Sequence, residues 1–174
     1  GIRVSVINGI TSGLAAVTSL NVPLTHREHA HGVVFVTGHA KPGDAGTDWR
    51  ALAHAAHQAK LTLVIYMGVS GIAHIQNELL YGLPENTPVA VVQNASLPTQ
   101  RHAVCTLGEL QTTINRDGLA SPSVLVVGAV MQGMLAAAQA PEQQGLTRTA
   151  CTLRQLRFAG FVARAWHTLP TAPK

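Results

Sequence analysis

Short runs of β-branched residues alternate along this sequence with segments that carry apolar residues at helical spacing. The runs lie at residues 33–37, 61–66, 88–93, 102–106 and 123–127. Each has the length of a strand and is bounded by residues that favour turns. A chain in which strands and helices alternate in this way is constrained to an α/β fold.

The intervening segments complete the prediction. Residues 2–6 alternate apolar and polar side chains, which predicts a half-buried strand at the start of the chain. Helices are predicted at residues 12–20, 48–59 and 70–81, and between the fourth strand and residue 117. The residues available to cap the first three helices are Thr11 or Ser12, Thr47 or Asp48, and Ser70.

One connection is too short for a parallel arrangement. Only eight residues separate Gln93 from His102, whereas a crossover between parallel strands needs about a dozen. These two strands are therefore predicted to be antiparallel. The expected fold is a mixed five-stranded sheet with flanking helices.

Charge is scarce and unevenly placed. Charged residues make up 11% of the chain, against about a quarter in most soluble domains. Residues 1–130 hold seven basic and seven acidic side chains, so the net charge of +4 comes from the remaining residues. A neutral body predicts a surface that another domain or subunit covers. Three arginines at residues 154–164 without a binding fold do not indicate nucleic acid.

The chain shows no signal for a membrane span or for secretion. The most apolar stretch, residues 124–140, is interrupted by glycine and glutamine and falls short of the roughly 20 residues required. Two cysteines exclude a disulfide scaffold. We expect a cytoplasmic protein with a domain over residues 1–140 and a basic tail over residues 141–174.

A strand-to-helix turn at Met67 to Gly71 is a candidate binding site, because α/β sheets bind ligands at the carboxyl ends of their strands. The turn also comes close to the G-x-S-x-G motif of hydrolases. However, Gly71 follows Ser70 directly, and Ile72 stands where the motif has its second glycine. A helix cap is the favoured role for Ser70, with a serine hydrolase as the alternative.

A histidine-rich stretch precedes the first buried strand. It holds His26, His29 and His31, with His39 further on. Zinc sites need closing ligands and supporting groups, and the sequence shows no cysteine pair or well-placed carboxylate beside these histidines. No metal site is therefore predicted. The neighbouring Arg27 can bind a carboxylate through two hydrogen bonds.

The end of the third strand, residues 93–96 (QNAS), offers amide and hydroxyl groups. These groups suit a nucleoside or a sugar, and they equally suit the turn itself.

Several segments, in this order and spacing, resemble the tetrapyrrole methylase family, and within it the uroporphyrinogen-III methyltransferases. The segments are residues 9–13 (GITSG), 22–27 (VPLTHR), 35–39 (FVTGH), 63–68 (LVIYMG), 88–94 (PVAVVQN), 100–101 (QR) and 124–128 (VLVVG). The resemblance covers residues 1–130 and implies the carboxyl-terminal domain of a two-domain enzyme.

The resemblance implies a function and its residues. It implies transfer of methyl groups from S-adenosylmethionine to uroporphyrinogen III, giving precorrin-2 for siroheme and cobalamin synthesis. The methyl donor would contact Thr11, Ser12, Met67 and Ala95, the last of which is often glycine in relatives. His26 and Arg27 are the candidates for binding the substrate's propionates.

The resemblance also implies partners and a departure from the family. The family's G-x-G-P-G-D-P and G-G-D-P segments, and its proton-transfer residues, are not found in this sequence. We therefore expect no catalytic residue in this chain, a missing amino-terminal domain as its partner, and a homodimer in the intact enzyme. A non-catalytic fragment that binds no methyl donor is the alternative.

Overall fold

A computed structural model describes residues 2–40, 43 and 46–139. These residues form a mixed five-stranded sheet with the strand order β1-β2-β5-β3-β4. The strands are β1 (Gly32–Thr37), β2 (Leu61–Tyr66), β3 (Pro88–Gln93), β4 (Arg101–Thr106) and β5 (Ser123–Val127). The helices are α1 (Ser12–Ser19), α2 (Trp49–Gln58), α3 (Ile72–Leu79), α4 (Leu110–Asp117) and α5 (Gln132–Gln139).

The strand directions confirm the predicted mixed sheet. β1 and β2 are parallel, whereas β5 runs antiparallel to both of its neighbours, β2 and β3. β3 and β4 are antiparallel, as their short connection predicts. β1, β2 and β3 therefore point the same way and end at the same edge of the sheet.

The sheet is buried on both faces, which explains why its central strands read as unbroken apolar runs. Residues Leu63 and Ile65 point to a cluster that includes the buried faces of α2, α3 and α4. Val64, between them, points to a second cluster with α1 on the opposite face. Successive side chains of a strand alternate between faces, so each run supplies both clusters.

Two strand predictions are corrected. Residues 2–6 form no strand, and their apolar side chains are exposed, with Ile2 at 94% and Val6 at 92%. A strand needs a neighbour to bond with, and the described part of the chain offers this segment none. β1 is only half-buried rather than buried, because it lies at an edge of the sheet.

The helix predictions are largely confirmed. Asp48 caps α2 by accepting a hydrogen bond from the backbone N–H of Ala51 at 3.0 Å. Ser70 does not cap α3, because it lies within a 3₁₀ turn, and Gly71 is the residue that precedes the helix. α5 was not predicted, and the predicted tail lies outside the described residues. No helix in the described part of the chain is long and apolar enough to cross a membrane.

Candidate functional site

The turns that follow β1, β2 and β3 meet at one edge of the sheet, which we call the carboxyl edge. It comprises Gly38, Met67, Gly68 and residues 94–96. The backbone N–H of Gly38 donates to the carbonyl of Tyr66 at 2.6 Å. A Cβ on Gly38 would approach the Cα of Gly68 to 2.6 Å, so only glycine allows the first two turns to pack this closely.

Met67 is held in an unusual backbone conformation. Its φ is 52°, in the left-handed region, and 57% of the residue is exposed. Gly68 after it is buried, and a Cβ there would meet Leu125 at 2.8 Å. The chain therefore leaves β2 in a tight turn that presents Met67 to solvent while the next residue packs against the sheet.

Helix α1 begins beside this turn. Thr11 is the residue before α1, and its Oγ1 lies 2.6 Å from the phenolic oxygen of Tyr66, the last residue of β2. The hydroxyl of Thr11 thus bonds across the fold, and it does not cap its own helix. Because Met67 follows Tyr66, this bond sets the start of α1, with the exposed Thr11 and Ser12, against the carboxyl edge.

The turn after β3 completes the edge. Asn94 and Ser96 both have left-handed backbones, with φ of 53° and 67°. Ala95 between them is half-buried, and its side chain packs against the second core cluster. A methyl group that points inward leaves the exposed side of the turn to backbone groups.

Gln100 joins this turn to α1. Its Oε1 accepts the backbone N–H of Ser96 at 2.7 Å, and its Nε2 donates to the hydroxyl of Ser19 at 3.0 Å. α1 is thus bonded to the sheet at both ends, by Tyr66 at its start and Gln100 at its end. The sequence pattern included Gln100, in the segment of residues 100–101, but did not predict its bond to Ser19, which lies 81 positions away.

The structure places four of the predicted site residues at the same end of the sheet. Thr11, which bonds to Tyr66, and Ser12 after it lie at the end of β2, from which Met67 follows. Ala95 lies on the same edge, beyond the single strand β5, which corresponds to about 10 Å at two strand spacings.

The other two predicted residues lie elsewhere. His26 and Arg27 belong to a turn that precedes β1, at the amino edge of the sheet. The six-residue strands of this sheet separate the two edges by about 20 Å. The structure therefore places His26 and Arg27 at the opposite edge of the sheet from Met67 and Ala95.

A strong charge pair between two helices serves the scaffold rather than the carboxyl edge. Arg50 of α2 donates two hydrogen bonds to Glu78 of α3, at 2.6 and 3.0 Å, and its guanidinium stacks 3.7 Å above the ring of Tyr81. These bonds lower the pKa of the Glu78 carboxyl and raise that of Arg50. The pair ties together two helices that cover the first core cluster.

The carboxyl edge has the chemistry of a site for a small amphipathic molecule. Met67 and Leu97 are exposed apolar side chains, at 57% and 55%. Beside them lie the hydroxyls of Thr11 and Ser12 and the backbone groups of residues 94–96. Apolar surface with a few placed polar groups is the usual composition of a ligand site.

Comparison with known proteins identifies the family of this chain. The sequence pattern of the Tetrapyrrole (Corrin/Porphyrin) Methylases matches residues 1–111, well over half of the chain. The chain belongs to the tetrapyrrole methylase family. This membership confirms the resemblance drawn from the short segments of residues 9–128.

Individual relatives of this tetrapyrrole methylase chain are longer than it is. Uroporphyrinogen-III C-methyltransferase from Pseudomonas fluorescens is 44% identical over 131 residues, which are 75% of this chain and 51% of that protein. Siroheme synthase from Pseudoalteromonas translucida is 41% identical over 74% of this chain and 27% of its own length. The chain thus spans about half or less of these relatives.

A solved structure confirms the fold. Uroporphyrin-III C-methyltransferase from Thermus thermophilus, complexed with S-adenosyl homocysteine, superposes with a TM-score of 0.60 at 32% identity. The match covers 76% of this chain and 55% of that one. The mixed five-stranded sheet with flanking helices is therefore the fold of part of a known methyltransferase.

Proposed function

We propose that this chain supplies part of an enzyme that methylates uroporphyrinogen III with S-adenosylmethionine, giving precorrin-2. The observation that supports the proposal is the carboxyl edge, where the turns that hold Met67 and Ala95 lie at the same end of the sheet as the start of α1, in a chain of a methylase family. In this proposal the edge is one side of the methyl-donor site. A cytoplasmic location belongs to the same proposal.

The residues of the edge suit the parts of S-adenosylmethionine. That molecule would supply a methyl group on a positively charged sulfur, together with a flat adenine and a ribose. The hydroxyls of Thr11 and Ser12 and the backbone groups around Ala95 would hydrogen-bond its polar atoms. The exposed side chain of Met67 would pack against an apolar part. Placement of two reactants in line is the main contribution a protein makes to such a transfer.

The transfer forms a bond between a pyrrole carbon and the methyl group and breaks the bond from methyl to sulfur. The ring then loses a proton to a general base. We assign this base to no residue of the present chain. The proposal therefore includes an amino-terminal domain as the partner that completes the site, and a homodimer as the intact enzyme.

His26 and Arg27 enter the proposal only as contacts for the substrate. They lie at the amino edge, so any propionate they bind belongs to a part of the ligand remote from Met67. The serine hydrolase loses support, because no histidine bonds to Ser70 among the described residues and Ile72 stands where the motif has its second glycine.

Calorimetric titration of the chain with S-adenosylhomocysteine tests the proposal. We expect saturable binding at one site, and weaker binding by Tyr66→Phe, which loses the hydroxyl that contacts Thr11. The absence of heat at millimolar ligand would support the alternative, a fragment that binds no methyl donor. We also expect the chain alone to form no precorrin-2, and measurable methyl transfer would show that it holds the general base.

A further inference from the structure

Three possible metal ligands lie together in the turn of residues 26–30. One ligand atom each of His26, Glu28 and His29 lies within 4.8 Å of the other two, and all three side chains are exposed. Glu28 supplies a carboxylate beside the histidines that the sequence pattern did not predict. We propose that this turn binds a divalent transition-metal cation of the zinc type through these three side chains. The site shares His26 with the proposed substrate contacts, but metal binding requires neither the methyl donor nor the carboxyl edge.

The backbone of the turn is fixed, which reduces the entropy lost when the ligands converge. His26 and Ala30 exchange backbone hydrogen bonds at 2.8 and 2.9 Å, and the N–H of His29 donates to the carbonyl of His26 at 3.1 Å. Lys60, in the turn between α2 and β2, donates its Nζ to the carbonyl of Glu28 at 3.3 Å. The turn therefore presents residues 26, 28 and 29 from a rigid base.

The side chains are close to a coordinating arrangement. The imidazole rings of His26 and His29 are stacked with centroids 4.7 Å apart, and Nε2 of His29 lies 4.0 Å from the Glu28 carboxylate. Three donors at about 2.1 Å around one tetrahedral zinc ion lie about 3.4 Å apart. Side-chain rotations that move each ligand atom by about an ångström would bring the three atoms to that separation, and the backbone would not need to move.

Coordination costs one weak interaction. The N–H of Glu28 donates to Nδ1 of His26 at 3.3 Å, which leaves the ring proton on Nε2. Binding a metal through Nε2 moves that proton to Nδ1 and gives up the long bond. Binding through Nδ1 displaces the same bond directly. In either case the metal replaces one hydrogen bond by three ligand bonds.

The donor set selects the kind of cation. Two imidazole nitrogens and one carboxylate are a set that binds zinc, and a fourth position stays open to water. Imidazole also suits copper and nickel, whereas magnesium prefers oxygen ligands alone. The turn should therefore bind Zn²⁺ and not Mg²⁺.

Calorimetric titration of the full chain with Zn²⁺ tests the site, with His26→Gln, Glu28→Gln and His29→Gln as variants. We expect each variant to lower the affinity at least about tenfold, since even supporting groups behind metal ligands contribute that much. His31→Gln is the matched control, because His31 lies in the same segment but directs its Nε2 to the carbonyl of Arg27 at 3.2 Å. It should bind Zn²⁺ like the original chain.

Ring resonances provide a second readout. In a ¹H–¹⁵N spectrum, Zn²⁺ should shift the ring nitrogens of His26 and His29 and leave those of His31 unchanged. Equal weakening by His31→Gln, or unchanged binding by the three ligand variants, would overturn the assignment, as would a chain that shows no saturable Zn²⁺ binding. Because the four side chains are exposed, circular dichroism should confirm that every variant is folded.

Discussion

Met67, Asn94 and Ser96 share a left-handed backbone although none is glycine. Asparagine adopts this conformation readily, but it costs most other residues about 1–3 kcal/mol and is concentrated at functional sites. All three residues lie on the carboxyl edge, at the ends of two strands that are not adjacent in the sheet. Asn21 and Lys60 share the conformation away from this edge, so it supports a ligand here only together with the exposed apolar side chains of Met67 and Leu97.

Gln100 should position the turn that contains Ala95. Replacement by alanine removes the acceptor of the Ser96 N–H and the donor to Ser19, so residues 94–96 are held less firmly. One hydrogen bond contributes about 1 kcal/mol, which corresponds to about a fivefold loss in affinity. Gln100→Ala should therefore bind S-adenosylhomocysteine about fivefold more weakly in calorimetry.

Gln58→Ala is the matched control, because Gln58 is exposed at the end of α2 and distant from the carboxyl edge. It should bind like the original chain. Equal affinities for all three proteins would show that Gln100 supports the fold alone. Failure of the original chain to bind would count against the proposed function and leave the role of Gln100 in the fold unaffected.

At the scale of elements, a continuous run of buried apolar residues predicts the boundaries of its strand correctly. β2, β3 and β5 have the boundaries that the sequence predicts, because each is apolar on both faces and ends at a turn residue. Residues 2–6 show the opposite case, since an alternating pattern predicts a strand only if a partner is available. The sequence could not reveal that condition.

The contacts of α1 also lay beyond prediction. The sequence located its start at Thr11 and Ser12, but not the bonds that hold its two ends. Those bonds join residues 55 and 81 positions apart, and no local pattern encodes them. The candidate residues could thus be proposed from the sequence by resemblance, whereas their support required the fold.

Gly13 is the position at which α1 packs most closely on the sheet. A Cβ there would lie 2.5 Å from the Tyr66 hydroxyl, 2.8 Å from Val64 and 2.9 Å from Phe35. Overpacking of this kind costs about 1–3 kcal/mol. Gly13→Ala should therefore lower the free energy of unfolding by that amount in a denaturant titration.

Gly133→Ala is the control within another helix. Nothing lies within 4 Å of a Cβ at Gly133, and alanine is the better helix former. This variant should leave the protein as stable as before or stabilise it by about 0.4–1 kcal/mol. If Gly133→Ala lowers the stability as much as Gly13→Ala does, the effect at Gly13 comes from the backbone conformation of glycine and not from close packing.

For the whole molecule, the decisive feature is the place of β5, between β2 and β3. The short connection predicted one antiparallel pair, but the strand order depends on pairings between distant segments. Insertion of β5 holds the ends of β2 and β3 two spacings apart. The carboxyl edge is consequently wide enough to place Met67 and Ala95 on different parts of one ligand.

Removal of residues 140–174 tests the division into a domain and a tail. In the part of the chain that the structure describes, both core clusters consist of residues between Ala16 and Met134. The shortened chain should therefore unfold cooperatively with an unchanged thermal midpoint, measured by circular dichroism. A lower midpoint, or a broad transition, would show that residues 140–174 complete the core.

The same truncation should change how the molecules interact. It removes five basic residues and one acidic residue, and with them the whole net charge of +4. A protein without net charge associates and precipitates more readily. The shortened chain should therefore be less soluble at neutral pH, as light scattering against concentration would show. Unchanged solubility would mean that the neutral body resists association without the tail, and that the charge of the tail has another role.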